Sequence, residues 1–227
     1  MDSVISPPRA LKPTLTGKRR QKVDIFTDRG SRHLSRIDVR ALPHLPGRNP
    51  SAVLSVGPFL FLPCAIGRKG IGVKQREGDS ITPLGQYKIT AWFHRIGQLK
   101  QCSTGCRIIS PKTGWCDDPN SFAYNRKVSL PFRFGAESLW REDALYDIIG
   151  VINFNMRPRI RGRGSAIFLH VAGTGFPPTA GCVALPKAVL QKLKLRLAAR
   201  PQVFIDNGFA RRSPKIAEPT RILVAPN

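Results

Sequence analysis

Apolar positions in this chain fall into short runs bounded by glycine and proline, which is a strand pattern rather than a helical one. Ser35-Arg36-Ile37-Asp38-Val39, Ala52-Val53-Leu54-Ser55-Val56 and Phe59-Leu60-Phe61-Leu62 have strand length, with Gly57-Pro58 as a hairpin signal between the last two. The glycines of Ile66 to Val73 mark turns. Glu77-Gly78-Asp79-Ser80-Ile81-Thr82-Pro83-Leu84-Gly85 has turn chemistry and opens onto an alternating strand, Gln86 to Phe93. Residues 97–131 carry few hydrophobic repeats and are expected to form a long, loop-rich excursion. Tyr146 to Asn155 and Ala166 to His170 are expected as buried strands, the second ending on a polar residue. One helix is expected over Lys187 to Arg200, with Val189, Leu193 and Leu197 on one stripe, Leu190 beside it and Pro186 in its first turn. Val203-Phe204-Ile205 supplies a closing strand. The reading is a mainly β domain over 34–206 with one helix near its C-terminal end. A basic arm (1–33) precedes it and a basic tail (207–227) follows.

Composition changes this picture little, and charge adds a constraint. The 227 residues carry a net charge of +23, a field that favours polyanions such as nucleic acid, acidic lipid or an anionic wall polymer. Solvated arms, including Lys18-Arg19-Arg20 and Arg211-Arg212, account for much of the excess. No nucleic-acid motif or interleaved aromatic–basic stripe is present, so no nucleic-acid partner is expected. The first 30 residues lack the apolar core of a signal peptide, and the longest apolar stretch, Val53 to Ile66, is interrupted by Gly57, Pro58 and Pro63. A soluble protein with no transmembrane segment is expected.

Five cysteines, an odd number, do not make a disulfide scaffold. Cys102, Cys106 and Cys116, with Cys64 elsewhere, lack the paired knuckles of structural zinc sites. A disulfide inside the 97–131 loop is an alternative that requires an oxidising compartment.

Cys182 stands apart because of what precedes it. A thiol nucleophile needs a nearby imidazole and backbone N–H groups aimed at the developing oxyanion. In His170-Val171-Ala172-Gly173-Thr174-Gly175-Phe176-Pro177-Pro178-Thr179-Ala180-Gly181-Cys182, a strand delivers His170 at its end, a loop folds back, and Gly181 permits a tight turn at the cysteine. By themselves these two residues are equally compatible with a buried structural cysteine.

The arrangement resembles the YkuD-type L,D-transpeptidase catalytic domain: a strand-end His, a loop, then Ser/Thr-x-Gly-Cys and an apolar residue. Here these are His170 and Thr179-Ala180-Gly181-Cys182-Val183. Glu77-Gly78-Asp79 followed by Thr82-Pro83-x-Gly85 matches a second feature. Gly114-Trp115-Cys116-Asp117-Asp118-Pro119 with Tyr124-Asn125, Leu139-Trp140-Arg141-Glu142-Asp143 and Tyr146-Asp147 resemble a bacterial subgroup. The resemblance covers roughly 35–206. It implies a β-rich enzyme acting on peptidoglycan stem peptides, with Cys182 as nucleophile and His170 as proton acceptor and donor. It further implies backbone N–H groups of Gly181 and Cys182 as oxyanion donors, Thr179 as an orienting hydroxyl, and Tyr124 and Asn125 as substrate-binding residues by position.

No metal or organic cofactor is implied. A periplasmic or envelope location is implied by the family, although no export signal is visible and a cytoplasmic one stays open. Ala184 stands where many members carry Arg, and Ala180 where His or Ser is frequent, so donor-peptide specificity is not carried over. The hydrolytic L,D-carboxypeptidase variant uses the same pair, and a basic nucleic-acid-binding protein or a catalytically dead wall-binding module are the rivals. The intact Cys182/His170 pair argues against the last.

Elsewhere the bland readings prevail. His33 and His44 read as surface residues, and His94 as a strand-end residue that could line a cleft. Asp117 and Asp118 read as turn caps before Pro119, and Gly67-Arg68-Lys69-Gly70 lacks the phosphate-loop pattern.

Overall fold

Alternation of buried and exposed positions organises the first part of the domain. The structure is a computed structural model, and it describes residues 34–43, 51–57, 60–99 and 106–208. The expected arm, nearly all of the expected tail, and Phe59, His33, His44 and Cys102 lie outside the described residues. Strands β1 (Leu34–Ala41), β2 (Ala52–Val56) and β3 (Leu60–Cys64) form an antiparallel meander. In β3 the period of two is complete: Leu60, Leu62 and Cys64 point inward while Phe61 and Pro63 face out. Gly57 turns the hairpin at φ +62°.

A short parallel pair, β4 (Ile71–Gly72) and β5 (Thr82–Pro83), leads into the long strand β6 (Gly85–His94). The stretch expected as a loop-rich excursion carries strands. β7 (Cys106–Ile108) adds to β6, and β8 (Thr113–Cys116), β9 (Arg126–Ser129) and β10 (Ala136–Ser138) make a separate sheet of order β10-β8-β9. These strands have three or four residues and no apolar alternation, so pairing rather than local pattern defines them.

β11 (Ile148–Ile152) and β12 (Phe168–Val171) are buried at every position. Their continuous apolar runs suit strands covered on both faces. β13 (Val183–Leu185) follows the loop, then α1 (Lys187–Arg196) and β14 (Leu197–Asp206). The main sheet runs β13-β12-β11-β6-β14-β1-β2-β3. Its two edges then meet: Ala65 and Ala184 exchange both backbone hydrogen bonds at 2.9 Å, so the sheet curls nearly into a barrel. The described residues are β-rich with one helix, as expected.

The helix is shorter than its stripe predicts. Leu197 turns to φ −78°, ψ 141° and starts β14, which pairs in parallel with β1 and antiparallel with β6. Pro201 disfavours helix in the residue before it, and two strand partners outweigh one further helical turn. Pro186 sits just outside α1, and its carbonyl accepts from Leu190 N at 2.9 Å.

Candidate active site

Strand register brings the cysteine to the histidine's strand. β12 and β13 pair in parallel, with Leu169 opposite Val183 and His170 opposite Ala184. Cys182, one residue before β13, therefore lies alongside Phe168. Its Sγ donates to Ala166 O at 3.2 Å and accepts from Phe168 N at 3.3 Å. Phe168 and His170 are two residues apart on one strand and share a face. Tyr146 packs edge-on against both, with ring centroids 5.9 Å from Phe168 and 5.3 Å from His170. Cys182, Phe168 and Tyr146 belong to one core cluster with Trp115 and Phe93.

His170 is 6% exposed and Cys182 8% exposed. Burial depresses the imidazole to about 4, against the favourable carbonyls of Val171 and Leu145, with Arg141 depressing it further and Asp143 opposing. Burial likewise pushes the Cys182 thiol up to about 12, with Phe168 N–H acting the other way. Both groups rest neutral. Nδ1 of His170 lies 2.8 Å from Val171 O, which makes it the protonated nitrogen and leaves Nε2 with the lone pair a base requires. The thiol is turned towards Ala166 and Phe168, so proton transfer to His170 requires a rotation about its Cα–Cβ bond.

The turn holding Cys182 is built from two hydroxyls. Thr179 Oγ1 donates to Cys182 O at 2.6 Å and accepts from Gly181 N at 3.1 Å. Thr82 Oγ1 accepts from Gly67 N at 2.7 Å and donates to Gly181 O at 2.9 Å, tying the Thr-Pro-x-Gly segment to the cysteine turn. This alters one expectation. The N–H of Gly181, expected to face an oxyanion, is taken up by Thr179, which leaves Cys182 N–H as the backbone donor beside the thiol. Gly181 is needed for another reason: its φ is +141°, and a Cβ there would meet Ile81 O at 2.9 Å. Ala184 is buried between β12 and the Ala65 bridge.

Tyr124 and Asn125, expected at the substrate by family position, are buried at 0% and 2% exposure. The Tyr124 hydroxyl donates to Glu77 and accepts from Gly164 N at 2.9 Å. Asn125 Oδ1 accepts from Trp115 Nε1 and Ala166 N, while its Nδ2 donates to Phe154 O and Asn155 O. With every polar atom engaged internally, these two side chains are struts that fix the 154–166 segment, whose Ala166 carbonyl receives the thiol.

The wall facing His170 comes from residues that sequence reasoning gave no role. Glu137 Oε1 accepts from Tyr146 Oη at 2.8 Å, and Arg141 bridges Glu137 and Asp143 while stacking on Tyr146. Burial raises Glu137 above the usual carboxylate range, and the Tyr146 hydrogen bond and Arg141 oppose this. Glu137 is the one charged residue of a short, weakly patterned strand, which is why only the tertiary contact reveals it.

Among the secondary candidates, Asp118 caps its turn by accepting from Asn120 N at 2.8 Å and Gly135 N at 3.2 Å. His94 ends β6 and turns Nδ1 to Arg95 O at 2.9 Å. Cys64, Cys116 and Cys182 carry free thiols, whereas Cys106 is disulfide-bonded. Among the described residues no cluster of three or more His, Cys, Asp or Glu is disposed to hold a metal ion, and no helix is long and apolar enough to cross a membrane.

The family model for the L,D-transpeptidase catalytic domain, YkuD, matches residues 54–205. No curated protein matches the chain.

Proposed function

The chain belongs to the YkuD family of L,D-transpeptidase catalytic domains, and on that premise we propose that it is a cysteine acyltransferase that cross-links peptidoglycan stem peptides. The observation that carries the reading is the parallel β12/β13 register, with a buried thiol beside Phe168 and His170 on the same face of the strand.

In the proposed reaction, Nε2 of His170 takes the Cys182 proton as sulfur attacks the carbonyl of the third residue of a tetrapeptide stem. The tetrahedral oxyanion forms near Cys182 N–H. As the C–N bond breaks, the imidazolium returns its proton to the departing amine of the terminal D-alanine, leaving a thioester. A side-chain amine of a second stem then attacks, losing a proton to His170, and the thiol is regenerated with a new amide bond. Because both groups rest neutral, the thiol must hand its proton to His170 as it attacks. Thr179 acts by holding the turn, and Tyr124 and Asn125 by holding the Ala166 carbonyl. The proposed place of action is the cell envelope, which the disulfide at Cys106 favours because such bonds persist in oxidising compartments.

Cys182→Ala and His170→Ala are each expected to abolish acyl-enzyme formation with a stem tetrapeptide or a carbapenem, read by intact-protein mass spectrometry. An unchanged adduct in the cysteine variant would sink the mechanism. Product analysis on purified muropeptides is expected to show cross-linked dimers; trimmed tripeptides alone would make the enzyme an L,D-carboxypeptidase.

A further inference from the structure

Beneath the cysteine turn lies a buried ion pair that the reaction above does not use. Lys74 Nζ sits 2.6 Å from Asp79 Oδ1, with side chains 2% and 7% exposed. The carboxylate is fully engaged: Oδ1 also accepts from Ile81 N at 3.1 Å, and Oδ2 from Gln75 N at 3.0 Å and Arg76 N at 3.3 Å. Two glycines make room for the lysine. A Cβ on Gly164 would run into Lys74 Cε, and one on Gly181 would lie 3.5 Å from Lys74 Nζ. The ammonium is thus threaded between the Gly164–Ala166 segment, which receives the thiol, and the Gly181–Cys182 turn, which presents it. Burying two charges is costly, and hydrophobic replacements often serve stability as well or better. A cation kept next to the site where a negative charge develops is therefore better explained by that charge than by stability.

We propose that the Lys74 ammonium, oriented by Asp79, is the positioning cation that stabilises the Cys182 thiolate formed when His170 takes the thiol proton. This rests on the reading of Cys182 as nucleophile. The charged and titratable groups around the thiol are Glu137, Tyr146 and His170, with Arg141 and Asp143 behind the imidazole; Lys74 opposes Glu137, which disfavours the anion. Lys74 thus acts with the Phe168 N–H against burial and Glu137. Asp79 is buried, which alone would raise its carboxyl, but Lys74 and the three backbone N–H groups hold it down at about 2, so it is ionised wherever the enzyme works.

The test is the pH dependence of Cys182 alkylation by iodoacetamide, followed site by site with peptide mass spectrometry. Such a readout is independent of peptidoglycan turnover, so its failure is distinct from failure of the proposed function. Lys74→Met/Asp79→Asn keeps the volume and one oxygen to accept from the backbone N–H groups, and removes both charges. It is expected to slow alkylation at fixed pH about tenfold by moving the thiol titration up about one unit. Asp79→Asn alone, which leaves the cation without its counterion, is expected to move the titration down. Arg36→Met, which removes a charge from an ion pair on β1 outside the cysteine turn, is expected to leave it unmoved. A wild-type profile in the double variant overturns the proposal. Should that variant fail to fold, an unmoved or raised titration in Asp79→Asn overturns it instead.

Discussion

At the scale of single residues, the backbone geometry of Gly181 accounts for a glycine at that position. Its N–H is engaged by Thr179, its carbonyl by Thr82, and its backbone adopts a φ that side chains rarely tolerate. Gly181→Ala adds a Cβ 2.9 Å from the fixed Ile81 carbonyl. It is expected to cost about 2–3 kcal/mol of stability in urea unfolding and to displace the thiol, lowering its alkylation rate. The neighbouring Ala180→Gly change, at an exposed position, is the control and should do neither. Cys182, His170 and Gly181 were legible in the sequence because one short segment carries all of them. Lys74 and Glu137 were not, because nothing in a charged residue's local sequence shows that folding buries it against the cysteine and histidine strands.

Among elements, the 154–166 segment is tied to the β8–β9 sheet by Tyr124 and, with more bonds, by Asn125. Asn125 satisfies the Trp115 indole, the Ala166 N–H and two carbonyls. Asn125→Ala leaves these groups buried without partners. It is expected to lose about 3 kcal/mol or more in urea unfolding and to reduce acylation of Cys182, since Ala166 O positions the thiol. Cys64→Ala, also a buried thiol but remote in this network, should leave acylation intact. The sheet that supports this strut was hidden in the sequence: β8, β9 and β10 are too short for periodicity to declare them. β6, β11 and β12 were plain because alternation or a continuous apolar run marks a strand whatever it pairs with.

Over the whole molecule, the neutral thiol and imidazole make stability depend on pH from both sides. His170 is depressed from a usual value near 6.5 to about 4, so between those values the unfolded chain binds the extra proton. Stability is therefore expected to fall as pH drops below 6.5, by up to about 3 kcal/mol by pH 4. Cys182 is raised from about 9 to about 12, so the unfolded chain loses its proton first and stability falls again as pH rises past 9. Urea midpoints measured across pH should show a plateau between 6.5 and 9. His170→Asn should flatten the acid side, and an identical acid slope in that variant would show that the imidazole does not titrate as described.

By itself the sequence determined the class of fold and singled out Cys182 and His170 as the candidate pair, because strand patterning and the His–loop–Gly–Cys order are local properties. It could not determine that the sheet closes through the Ala65–Ala184 bridge, that β14 recruits the end of the expected helix, or that Lys74 and Asp79 lie under the cysteine. Those depend on register and on burial, and both are fixed only when distant strands pair and exclude water together.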